Sequence, residues 1–128
     1  MTHVSTTALS TIGQISMTAK DVARATAFYR DRLGVRFLFE FPNLAFFDCG
    51  GVRLMLTTPE KPEFDHPGSV LYFKVADIDA AHADLAAKGV EFTDAPHLIA
   101  KLPDHELWMA FFKDSEGNTL ALMDEKRA

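Results

Sequence analysis

One unit is written twice in this chain, and that duplication constrains the fold more than any other feature. The segment "DVARATAFYRDRLGVRF" (21–37) superposes on "DIDAAHADLAAKGVEF" (77–92), and the two openings lie 56 positions apart. Each copy begins with an Asp suited to cap a helix N-terminus. Each continues with apolar residues at helical spacing: Val22, Ala25, Tyr29 and Leu33 in one, Ile78, Ala81 and Leu85 in the other. Each then reaches a glycine, Gly34 or Gly89, suited to a left-handed C-terminal cap, and a strand-like run follows at once. A short strand precedes each helix ("GQISMTA", "SVLYFKV"), and a hairpin closes each copy ("LAFFDCGGVRLML", "MAFFKDSEGNTLALM"). The pattern predicts an α+β protein of two strand-helix-strand-strand-strand (βαβββ) repeats, forming a curved mixed sheet, an open cup, with the helices outside.

The expected organisation is a flexible tail over 1–10 and a single domain over 11–124. That domain divides into a repeat over 11–57, a Pro- and charge-rich linker over 58–68, and a repeat over 69–124. An insertion near "TDAPHLIAKLPDHE" lengthens the second copy. At 128 residues the chain is long enough for one compact core without disulfides, and the lone Cys49 has no partner for one. The net charge of -5 comes from scattered acids, which argues against nucleic acid as a partner. No apolar run approaches the ~20 residues of a membrane span, and the opening lacks a secretory pattern, so the expected setting is the cytoplasm.

Strand alternation assigns faces. The wholly apolar sets (Ile15, Met17, Ala19; Val52, Leu54, Leu56; Leu71, Phe73, Val75; Leu120, Leu122) should lie under the helices. The opposite faces mix polar and apolar groups: Gln14, Ser16 and Thr18; Leu44, Phe46 and Asp48; Arg53, Met55 and Thr57; Val70, Tyr72 and Lys74; His105, Leu107, Met109, Phe111 and Lys113; Thr119, Ala121 and Met123. Such faces suit the wall of a partly wet cavity, with a plain solvent-facing sheet as the lesser alternative.

This duplicated unit, with "FY" in the first helix and "FFKDSEGN" before the final strand, resembles the vicinal oxygen chelate superfamily of glyoxalase I, bleomycin-resistance proteins and extradiol dioxygenases. The resemblance covers about Thr11 to Asp124. It implies a cup often completed in a homodimer, which in the family's enzymes holds one divalent metal on His, Glu or Gln side chains of the first and last strands. Matched by position, those sites fall here on Gln14, Met55, Val70 and Ala121. Val and Ala offer no lone pair, a thioether is a soft ligand, and a lone amide is a weak one. The expectation is therefore no metal and no other cofactor, with a small organic molecule as ligand.

The candidate ligand-binding residues are Gln14, Ser16, Phe46, Arg53, Met55, Val70, Tyr72, Lys74, Met109, Phe111 and Ala121. Arg53, Tyr72 and Lys74 are the groups best able to fix an anionic or polar ligand. The one catalytic candidate is His105, a possible general base if it points into the cup, since histidine titrates near neutral pH. Its alternative is a loop histidine touching solvent. An enzyme using His105 or a displaced metal, and a module whose cup holds another protein, remain the other readings. Cys49 reads as an inert thiol, His82 as a surface residue, and "DSEGN" as a turn in which Gly117 and Asn118 accommodate positive φ.

Overall fold

The computed structural model of the chain describes residues 11–59 and 69–127. The expected tail over 1–10 and most of the expected linker, with His3 and His66, lie outside the described residues. The first unit comprises β1 (Gln14–Thr18), α1 (Val22–Ala27) with a π-helical turn over Phe28–Arg32, β2 (Arg36–Phe41), β3 (Leu44–Cys49) and β4 (Val52–Thr57). The second comprises β5 (Leu71–Lys74), α2 (Ile78–Ala87), β6 (Glu91–Phe92), β7 (His97–Lys101), β8 (Glu106–Lys113) and β9 (Thr119–Lys126).

The strands form two mixed sheets, ordered β1-β4-β3-β2 and β5-β9-β8-β6, with β7 also paired to β8. The chain is thus the α+β, doubled βαβββ protein that the repeat predicts. Its second unit differs in one respect: the strand after the helix is split into β6 and β7, which share β8 as partner. In each unit the first and last strands run parallel while the others are antiparallel.

Local signals explain where the helices start and stop. The Asp21 carboxylate accepts the Arg24 backbone N–H at 3.0 Å, and Asp77 accepts those of Asp79 and Ala80 at 3.1 Å. Gly34 and Gly89 end the helices at φ 71° and 87°, where a side chain would be strained. In the first helix the Leu33 N–H reaches back five residues to the Phe28 carbonyl, at 3.1 Å. This wider turn lets adjacent Phe28 and Tyr29 both be buried.

One continuous core joins the units, and it is built from the apolar strand faces. Met17, Ala19, Phe47, Leu54 and Leu56 of the first sheet belong to it, as do Ala110, Phe112, Leu120 and Leu122 of the second, with Tyr29 and Ile78 from the helices. Two buried carboxylates organise it. Asp124 on β9 accepts the Ile78 N–H at 3.0 Å and so ties the start of α2 to its sheet. Asp114, in the β8–β9 turn, accepts the Tyr29 hydroxyl at 2.7 Å and binds its own turn through the N–H groups of Glu116 and Asn118 and the Asn118 amide.

The turn therefore does more than reverse the chain. Beside Asp114, Glu116 accepts the Lys20 backbone N–H at 2.6 Å and the Arg24 guanidinium at 3.1 Å. The "DSEGN" loop of the second unit grips the helix of the first. Gly117 takes positive φ as expected; Asn118 does not, and the asparagine that does is Asn43 (φ 62°) in the β2–β3 turn. Among the described residues no helix is long and apolar enough to cross a membrane.

Burial, then the charge of Asp114, pushes the Tyr29 phenol far above its usual range. A raised folded value means that this contribution is intact below about pH 10, where a free phenol ionises, and is lost as pH climbs beyond it. Urea denaturation should show Tyr29→Phe destabilised by about 1–3 kcal/mol, because Asp114 keeps its burial and loses a donor. Above about pH 10 the variant should also lack part of the wild-type loss of stability, roughly 1.4 kcal/mol per pH unit for one proton. Equal stabilities at neutral pH would show that the contact holds nothing.

Candidate functional site

Register places the polar-apolar faces directly. On the first sheet, cross-strand rows run Gln14–Arg53–Asp48–Arg36, then Ser16–Met55–Phe46–Phe39, then Thr18–Thr57–Leu44–Phe41. Gln14, Ser16, Phe46, Arg53 and Met55 therefore share one wall, as their alternation predicts. Phe39 and Phe41 join them through a bulge in β2 at Leu38. Without it, Phe37, Phe39 and Phe41 would share one side. Instead Phe37 packs on core Phe47 (centroids 5.7 Å apart), whereas Phe39 lies against Phe46 (5.0 Å) and Phe41 (5.5 Å).

On the second sheet the rows are Lys74–Met123–Met109–His97 and Tyr72–Ala121–Phe111. Tyr72, Lys74, Met109, Phe111 and Ala121 thus share a second wall. Ala121 is on the expected face yet fully buried (0% exposed), because the Tyr72 and Phe111 rings, 6.1 Å apart and edge to face, flank it from both neighbouring strands. Val70 precedes β5 and is exposed. Both walls look outward in the single chain: Phe41 is 54% and Tyr72 48% exposed. The chain's open pockets include one of about 230 Å³ and one of about 170 Å³, both lined mainly by residues of the helix-bearing faces, Phe73 among them.

A chain of charges closes one end of the second wall. Lys74 pairs with Glu125 at 2.9 Å. The Glu125 carboxylate stands 3.7 Å from His105 Nε2, whose Nδ1 meets Asp104 at 2.8 Å, and Arg127 binds Asp104 at 3.1 Å. The hydrogen bond from Lys74 holds the Glu125 carboxyl below its usual range, and those from His105 and Arg127 do the same for Asp104. The His105 side chain is only 11% exposed and both ring nitrogens face carboxylates. It is a bridge in this network, beside a groove of about 430 Å³ that it lines with Asp104 and Arg127. Glu125 escaped the sequence reading because β9 runs to Lys126. Extending the Ala121, Met123 alternation by one step would have found it.

The residues at the family's metal positions do not fit an ion. The Gln14 amide donates to the Met55 sulfur at 3.7 Å, Val70 and Ala121 carry no donor atoms, and two rings cover Ala121. Among the described residues no group of three or more His, Cys, Asp and Glu side chains is placed to hold a metal. His97 sits at the strand edge with Nδ1 2.9 Å from the Ala95 carbonyl oxygen. Burial, then nearby Asp48, pushes the Cys49 thiol up, the reverse of what a nucleophile needs. His82, expected at the surface, is half-buried against the Phe92 ring at 4.3 Å.

Two outcomes follow. NMR titration of Lys74→Ala should show the Glu125 carboxyl rising toward its ordinary value; since the folded carboxyl is depressed, the pair's stabilisation is present above the usual carboxylate range and fades as pH falls through it. An unchanged titration would mean that Lys74 is not the cause. Ala121→Glu should destabilise the fold by several kcal/mol, because an unpaired carboxylate would be forced beneath two rings; wild-type stability would contradict the burial.

Comparison with known proteins agrees with this architecture. The family model described as the Glyoxalase/Bleomycin resistance protein/Dioxygenase superfamily matches residues 11–122. No curated protein matches the sequence. Among solved structures, TnmS3, an antibiotic binding protein from Streptomyces sp. CB03234, is 27% identical with a TM-score of 0.73, covering 93% of this chain and 98% of that one. A lactoylglutathione lyase from Agrobacterium tumefaciens is 22% identical, TM-score 0.71, covering 90% and 93%. A superfamily member from Sphaerobacter thermophilus is 23% identical, TM-score 0.75, covering 91% and 98%. With its doubled βαβββ fold and a family match over nearly its whole length, the chain belongs to the glyoxalase/bleomycin resistance protein/dioxygenase superfamily.

Proposed function

We propose that the protein is a metal-independent receptor for a small organic molecule, held between the two walls in a cup that a second copy of the chain completes. The observation that carries this reading is the donor set. The family's metal positions hold an amide turned to a thioether, a valine, and an alanine roofed by Tyr72 and Phe111. Lewis-acid chemistry has no ligands to work from at those positions. What replaces them is contact surface: Phe46, Met55, Met109, Phe111 and Tyr72 offer polarisable apolar area, and Gln14, Ser16, Arg53 and Lys74 supply polar fixing points.

The dimer is supported by the outward exposure of both walls, since a ligand needs most of its surface enclosed. The likeness to an antibiotic binding protein is compatible with a binding role. A base role for His105 has less support, because its side chain is only 11% exposed, which leaves a substrate little access to the ring. A single half-buried cysteine fits a cytoplasmic setting.

The test is a thermal-shift and calorimetric screen of chelator-treated protein against small organic molecules, antibiotics included. It should find a ligand whose affinity is unchanged by chelation and falls about tenfold, a loss near 1.4 kcal/mol, in Phe46→Ala or Tyr72→Ala. Light scattering should give the mass of a dimer. Binding that disappears on chelation and returns with a divalent ion, or that ignores both substitutions, would contradict the proposal.

A further inference from the structure

Building on the cup reading, we infer the chemical class of the ligand: a flat, π-rich anion that lies against Phe39, Phe41 and Phe46 and sets its acidic group on Arg53. The first wall carries three aromatic rings in one contiguous patch, with Phe39 44% and Phe41 54% exposed. They are not needed for the core, which Phe37 and Phe47 serve from the other face. Exposed aromatics on an edge strand are an aggregation hazard, so their presence calls for an occupant. The bulge at Leu38 is the device that turns Phe39 and Phe41 onto this wall.

Arg53 supplies the charge argument. Its cross-strand neighbour is Asp48, yet the guanidinium lies over the Phe46 ring, 5.5 Å from its centroid. Asp48 is otherwise engaged: it accepts the Gly51 N–H at 3.1 Å and stands 3.9 Å from Arg36. Among the described residues Arg53 has no carboxylate within ion-pair distance. The guanidinium therefore sits on the aromatic patch, with its N–H groups available for a carboxylate or phenolate. Arg36 and Arg53 against a single Asp48 leave that row net positive, which disfavours a cationic ligand. Gln14, beside Arg53 in the same row, adds an amide for a further polar group.

Calorimetry with the full chain and four matched probes tests this: naphthoate, naphthylmethanol, naphthylmethylammonium and decalin carboxylate. Naphthoate should bind about tenfold or more tightly than the alcohol and more tightly still than the ammonium, with the saturated decalin acid several-fold weaker than naphthoate. Arg53→Gln should abolish the preference for naphthoate over naphthylmethanol, and Phe39→Ala should weaken both arenes while circular dichroism shows an intact fold. If the alcohol or ammonium binds as tightly as naphthoate, or the decalin acid matches it, the ligand class is wrong; the cup reading survives provided binding still depends on Phe46 and Tyr72 and withstands chelation. Binding by none of the four probes overturns the ligand class as well.

Discussion

The buried hydrogen bond from Tyr29 to Asp114 is the contact on which the arrangement of the molecule depends. Each unit is a sheet of modest size with one helix, too small to bury its apolar face well alone. The bond fastens the helix of the first unit to the last turn of the second, and Lys20 and Arg24 strengthen it through Glu116. Phe28, Phe47 and the π-helical turn then bring aromatic surface around the phenol. Separating the units would leave Asp114 without a donor and Tyr29 without its ring contacts, both of which are costly.

With the units so joined, one core takes up the apolar faces of the strands other than β7, whose Leu98 and Ile99 stay exposed, and alternation dictates what remains. Residues next in sequence to core positions are presented outward: Phe46 beside Phe47, Met55 beside Leu54, Tyr72 beside Phe73. Outward positions that stay exposed, such as Phe41 and Tyr72, bear little on the core, whereas Ala121 on the same kind of face is fully buried. The first unit presents an aromatic surface with Arg53 upon it, and the second a wall of Tyr, Phe and Met closed by Lys74, Glu125, His105 and Asp104.

Much of this was legible in the residues because local signals and global fold agree. The capping Asp residues, the terminal glycines and the period-two alternation place the helices and assign the strand faces. What was hidden had two physical causes. Bulges at Leu38 and Ile99 shift parity by one residue, and nothing in local composition announces them, so Phe39 and Phe41 could not be put on the wall. Long-range partners were invisible as well. Asp114 reads as an ordinary turn residue until Tyr29, 85 positions earlier, is seen to donate to it. His105 reads as an isolated histidine until Asp104 and Glu125 are seen on either side of it.

The central claim is that the inner surface has exchanged ion ligands for apolar and aromatic contacts. Elemental analysis of protein purified without a metal-affinity step, after exposure to Ni²⁺, Zn²⁺, Fe²⁺ and Mn²⁺ and removal of unbound ion, addresses it most directly. The account predicts substoichiometric content of every metal, unchanged in His105→Ala. One tightly held ion per chain, lost on replacing Gln14 or His105, would contradict it.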